Sequence, residues 1–230
     1  MKKLIACFIA CCLALPLGAA TASQEAPGLD FDMADAYITG VDFTYPVVDL
    51  GDDAQSETIN GMIETDALAP FSSWEEGKTA EGGLVAIWQE GDILSLAYDL
   101  LAVAPGAAHP QRMYYTAVYD VKQATRLTLN DLADIQKIAQ FLSLRENLQP
   151  ALDAAEEAVF TAQADYVAGL GADAIESMLV NEGYQYGQDP SLSQSFFFLG
   201  EGDELMIVLS VPYALGDWAV FALPMAEVGK

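Results

Sequence analysis

One histidine stands in this chain of 230 residues: His109, in the stretch Pro105-Gly106-Ala107-Ala108-His109-Pro110. A His-assisted serine hydrolase would have to use it as its base, yet no Gly-x-Ser-x-Gly elbow supplies the nucleophile. A zinc site would need His109 with carboxylates only, against the usual preference for several His or Cys ligands. The three cysteines, Cys7, Cys11 and Cys12, all fall near the N-terminus. No His-Glu-x-x-His, P-loop or Gly-x-Gly-x-x-Gly pattern is present. The residues therefore assign no catalytic group, no metal and no cofactor.

What remains is carboxylate chemistry. Asp and Glu number 34 against 9 Lys and Arg, a net charge of −25. Two carboxylates across a sugar cleft can hydrolyse a glycan, but acids this abundant single out no pair. Asp49, Asp52 and Asp53 could gather calcium through oxygen ligands. They lack EF-hand spacing and read equally well as an acidic turn and helix N-terminus. Trp74, Trp88 and Trp218 would mark a glycan cleft if the fold set them beside acids; otherwise they pack in the core. His109 lies between two strand-like runs, and Pro110 pushes it toward an extended conformation. A neutral imidazole there can pin a turn by donating to one group and accepting from another. The reading groups His109 and Gly106 with Tyr45-Pro46, a strand-edge feature, as structural motifs.

The charge argues against nucleic acid and against anionic lipid. It favours basic proteins as partners. With 53% apolar residues the chain is too hydrophobic to be disordered.

The N-terminus positions the whole. Lys2 and Lys3, an apolar run to Leu17 and the small residues Ala20-Thr21-Ala22 form a secretory signal peptide over 1–22. The run is too short to span a bilayer, which takes about 20 residues. Cleavage removes two lysines and every cysteine, and takes the charge from −25 to −27. The alternative, a lipoprotein box at Cys7 or Cys11, leaves little apolar core ahead of Cys7. The mature protein is thus placed in the periplasm or outside the cell, with no span after cleavage.

Residues 23–39 open as a polar leader, and 37–50 are β-rich. A helix follows with Ile59, Met62 and Ile63 on one face. Residues 84–103 read as a hairpin turning at Glu90-Gly91-Asp92, and 111–121 as a strand with Met113, Tyr115, Ala117 and Tyr119 on one face. Asn130 is predicted to cap a helix carrying Leu132, Ile135, Ala139 and Leu142. Pro150 is predicted to open the next, to about Ala168, and a third ends at Gly183. Strands 195–200, 204–211 and 218–224 close the chain. The order makes an α+β fold: one compact domain, with an antiparallel or mixed sheet packed on about four helices.

The order of several short motifs resembles a known family. "YPVVDLGDDAQSETINGMI" is similar to the Tyr-Pro segment and Ile-Asn helix of RsiV-like and PdaC-like extracytoplasmic proteins. "LSLAYDLLAVAPGAAHP" resembles their strand into a Gly-Gly-Ala-His turn, and "YDVKQATRLTLNDLAD" their strand, turn and helix start. "FFFLGEGDELMIVLSVPYALGDWAVFALPMAEV" resembles their closing strands. This is the domain of unknown function 3298 with a 4163-type N-terminal part. The resemblance spans 40–228, the 4163-type part about 40–110 and the 3298-type part about 111–228. It implies the same α+β unit outside the cytoplasmic membrane and a shared turn holding His109. Some members are the outer parts of anti-sigma factors that bind lysozyme; others are joined to peptidoglycan deacetylase domains. This chain has Ala107 where a second Gly is usual, and no sigma-binding or deacetylase segment. The expectation is a non-enzymatic envelope domain that binds a cationic protein such as lysozyme, or peptidoglycan. The alternative is a carboxylate-dependent enzyme acting on peptidoglycan or another glycan.

Overall fold

The acidic stretch Asp30–Asp35 is a strand, β1, where the sequence reads a polar leader. It pairs antiparallel along its length with β2 (Val41–Asp49). Only Phe31 and Ala34 are half-buried in it, so its pattern carries almost no hydrophobic signal. An edge strand can be this polar, because one side of it meets water. A computed structural model describes residues 29–150, 157–183 and 194–230. The stretch read as a signal peptide and the start of the expected leader lie outside them.

Helix α1 (Asp53–Leu68) follows, with Asp52 as its cap: the carboxylate accepts from the Gln55 N–H at 2.9 Å. Ile59, Ile63 and Ala67 are fully buried on its inner face. Asn60 ties it to β2, donating to Val48 O at 2.9 Å and accepting from Val48 N at 2.8 Å. Beyond it come β3 (Thr79–Glu90), β4 (Ile93–Val103), β5 (Gln111–Asp120) and β6 (Thr125–Arg126). The β3–β4 hairpin turns where the sequence places it. The six strands lie in sequence order, antiparallel except for the parallel β2–β3 pair, so the sheet is mixed.

Tyr45-Pro46 lies in β2, paired with β1 on one side, Pro46 opposite Met33, and forms a local strand edge on the other. Pairing of β2 with β3 stops at Thr44. Val48, two residues past Pro46, turns its N–H and C=O to Asn60 on that same side. Pro46 thus points its missing N–H at a stretch where no ladder bond is due.

The predicted helix from Asn130 is two helices, α2 (Leu129–Leu132) and α3 (Ile135–Leu142). Thr128 caps the first, with Asp131 answering in a capping box. Ala133 then extends (φ −141°) to bridge Gly229, and Asp134 caps α3 by accepting from Gln136 N and Lys137 N. Gln149–Pro150 is a two-residue strand, β7; residues 151–156, where the sequence starts the next helix, lie outside the described residues. Helices α4 (Glu157–Leu170) and α5 (Ala172–Val180) come next. The chain closes with β8 (Ser195–Gly200), β9 (Glu204–Ser210), β10 (Trp218–Pro224) and α6 (Met225–Val228). β7, β10, β9 and β8 make a second, antiparallel sheet in that order.

Two cores result. One lies under α1, where Ile59 and Ile63 join Phe43, Leu96, Tyr98 and Tyr115. In the other Ile207, Leu209 and Phe221 join Ile138, Leu142, Val167 and Ile175 of the helices. Strand β8 joins them. Its Phe196 and Phe198 enter the first core and its Phe197 and Leu199 the second. The Leu199 N–H donates to buried Ser95 Oγ at 2.7 Å. This is why β4 and β5 are buried on both faces and not on the single face their alternation suggests.

Candidate functional site

The first feature is a charge layer. Residues 29–77 hold 12 acids and not one Lys, Arg or His. Nine of the acids lie in β1, β2 and α1, Asp52 caps the helix and Glu75 and Glu76 follow it; all but Asp66 are exposed. Apolar side chains stand out among them: Tyr37 is 96% exposed, Met33 45% and Val47 38%. Asp49 and Asp52 are spent on their own backbone, Asp49 accepting from Gly51 N at 2.8 Å and Asp52 capping α1. Among the described residues no group of three His, Cys, Asp or Glu could hold a metal ion. Tyr45 is buried nearby; its hydroxyl donates to Glu64 at 3.3 Å, and burial first, then Glu64, pushes the phenol up.

The second is the turn of the sole histidine. Ala107 N–H donates to Ala104 O at 3.1 Å across Pro105-Gly106. Gly106 takes φ 76°, as the third residue of a type II turn requires. His109 is exposed; its Nδ1 lies 3.0 Å from Pro110 O, and its ring stacks on Tyr213 with centroids 3.8 Å apart. Among the described residues no carboxylate or hydroxyl is bonded to it. It joins the turn to the β9–β10 connection.

The third is a cleft of about 230 Å³ beside the start of β5, bordered by Trp74, Lys78, Arg112 and Trp218. Trp74 Nε1 donates to Lys78 O at 3.0 Å and Trp218 Nε1 to Arg112 O at 2.9 Å. Trp74 meets Phe71 edge-on, and Trp218 meets Phe196 likewise. Both indoles are thus held by packing and by their ring nitrogens. Arg112 forms a bidentate pair with Asp99, whose carboxylate keeps it firmly charged against its desolvation. Of the three tryptophans the sequence offers, this cleft unites two; Trp88 packs against the second core.

The fourth is a recess of about 420 Å³ between Asp66, Arg126 and Glu182. Asp66 accepts from Arg126 at 3.1 Å and from the Tyr119 hydroxyl at 2.7 Å. Glu182 accepts from Leu129 N, the first residue of α2, through both oxygens at 2.8 and 2.9 Å. Desolvation pushes its carboxyl up to about 7, against the pull of that bond and of Arg126. A carboxyl titrating near neutrality can trade protons. Nothing in the sequence marks Glu182 or Asp66 among 34 acids, because their environment comes from elements far apart in the chain.

No family profile matches the chain, and no curated protein matches it. Two solved structures of DUF3298 family proteins align with it. One, a family member from Bacteroides fragilis NCTC 9343, aligns with 88% of this chain and 94% of its own, at 14% identity and a TM-score of 0.48. Another, from Pseudomonas aeruginosa PAO1, aligns with 88% and 92%, at 13% identity and a TM-score of 0.43. Neither description assigns an activity.

Proposed function

We propose that this chain is an extracytoplasmic binding domain for a cationic protein of the lysozyme kind. The observation that supports it best is the placement of charge. Ten acids without one base occupy the β1–β2–α1 layer, Asp52 at the helix cap included, with Tyr37 and Met33 exposed among them. A one-sign layer speeds the encounter with a basic partner, and apolar contacts at its centre hold the complex once formed. Egg-white lysozyme is the first partner to test, with cytochrome c as the basic control. The association rate is expected to fall as salt rises from about 0.05 to 0.5 M, where the screening length shrinks to a few ångströms. A salt-resistant remainder should persist for lysozyme alone and weaken in Tyr37→Ser and Met33→Ser. Equal, fully salt-erased binding of both proteins, or no binding at low salt, overturns the proposal.

A second reading, glycan cleavage by carboxylates, is favoured by the near-neutral Glu182 facing Asp66 across one recess. It stands second because both Glu182 oxygens are engaged by a helix N–H.

A further inference from the structure

Strand β1 leaves one edge of the first sheet open. β2 pairs along the whole of one side, and among the described residues no strand pairs with the other. Every residue of β1 is exposed or half-buried. Parity decides which peptide groups the open side presents. The Ala36 N–H donates to Phe43 O at 2.9 Å, one step beyond the ladder. Asp30, Asp32 and Ala34 therefore bond β2 in the same phase, and Phe31, Met33 and Asp35 face outward. β2 agrees. Val48, opposite Phe31, turns its N–H and C=O to Asn60 on its far side, and Pro46, opposite Met33, has no N–H to give. The strand is about 20 Å long at ~3.3 Å per residue.

The side chains say which strand fits this edge. Neighbours along a strand alternate between faces. Asp30 and Asp32 share one face, about 7 Å apart, beside Asp49 and Val47 of β2. Phe31 and Met33 share the other, beside Val48 and Pro46, and Met33 is 45% exposed. Among the described residues none of Asp30, Asp32 and Asp35 is in an ion pair. An added strand meets carboxylates on one face and apolar side chains on the other, so the matching sequence alternates basic and apolar residues. Edge charges repel a strand of their own sign. A second copy of this chain would bring three more aspartates to the seam, so the same charge that rejects self-pairing admits a basic partner.

We propose that β1 takes up an extended basic segment of a partner, which adds antiparallel along Phe31 to Asp35 and lengthens the six-stranded sheet by one. The proposal rests on the acidic layer being a binding surface, as above, and names the form in which the partner meets it. Acetyl-Lys-Ala-Val-Lys-Val-Lys-amide, set against Asp35 back to Asp30, is the probe, followed by amide NMR of the full chain in low salt. Its isomer acetyl-Lys-Lys-Lys-Val-Val-Ala-amide keeps the charge and loses the alternation. In the free protein the Met33 amide is expected to exchange faster than those of Asp32 and Ala34. The alternating peptide should shift the Phe31, Met33 and Asp35 amides saturably and slow their exchange, and the isomer should bind about tenfold more weakly. N-methylation of the peptide's third and fifth residues, whose N–H groups face β1, should abolish binding. The same change at its second and fourth, which face solvent, should spare it. Met33→Pro removes an outward donor without touching a bond to β2 and should weaken the peptide about tenfold, whereas Met33→Leu should not. The proposal fails if the free Met33 amide is as protected as that of Ala34, or if about 5 mM peptide, a millimolar affinity limit, leaves the three amides unmoved. It also fails if the isomer binds equally, if the two methylation patterns act alike, or if Met33→Pro binds as Met33→Leu does. If lysozyme binds while the peptide does not, this proposal alone falls; if the peptide adds to β1 while lysozyme does not bind, the one above alone falls.

Discussion

Glu182 shows how a single residue acquires a pH-dependent role. Its carboxyl is raised from 4.5 to about 7 in the folded protein, so between those values the native state holds a proton that the unfolded chain has released. Stability from this group is therefore intact in acid and falls as pH rises through about 7. Glu182→Gln keeps an oxygen for the Leu129 N–H and removes the charge. Denaturant melts from pH 5 to 8 are expected to show parallel behaviour at the acid end. At pH 8 the variant should be more stable by about 1 kcal/mol, a figure reduced for the group's partial exposure. A wild-type protein that gains stability over Glu182→Gln as pH rises would contradict the burial argument. The same variant tests the enzyme reading, which requires loss of peptidoglycan cleavage.

Strand β3 depends on one glycine. Gly82 has φ +147°, and a Cβ there would lie 2.2 Å from Asp99 O and 2.7 Å from Leu100 Cα. Both are backbone atoms of β4, which cannot swing aside as a side chain can. Gly82→Ala is expected to cost about 2–4 kcal/mol, combining backbone strain with overpacking, measurable as a lowered denaturant midpoint. Gly82 was not singled out by the sequence, since its neighbours read simply as a strand start. The elements with strong periodicity were legible: α1 from Ile59 and Ile63, the hairpin from Glu90-Gly91-Asp92, and the closing strands from their unbroken apolar runs. β1 was hidden because an edge strand of alternating acids lacks a buried face. The break at Ala133 was hidden because a distant residue, Gly229, pulls it extended. The two clefts were illegible for a related reason: Trp74 and Trp218, or Asp66 and Glu182, meet only after two sheets have docked.

At the scale of the molecule, charge sets the conditions under which the fold is comfortable. A net −25, concentrated on one layer without a single base, repels itself in dilute salt. The melting temperature is expected to rise by several degrees between about 0.02 and 0.3 M sodium chloride as screening grows. A falling value would mean that the ion pairs among the described residues outweigh the repulsion. The two sheets are also fastened to each other in an order with consequences for synthesis. The groups that close the start of β5, Asp217 and Trp218, lie within the last strand and the turn before it. A ribosome makes them well after the six strands of the first sheet. Until then the nascent chain carries a nearly finished six-stranded sheet with one flank unsealed, the kind of template on which neighbouring chains can pair. Asp217 and Trp218 thus act as a seal, and a chain released before Asp217 is a hazard to its siblings even though most of its strands are already made.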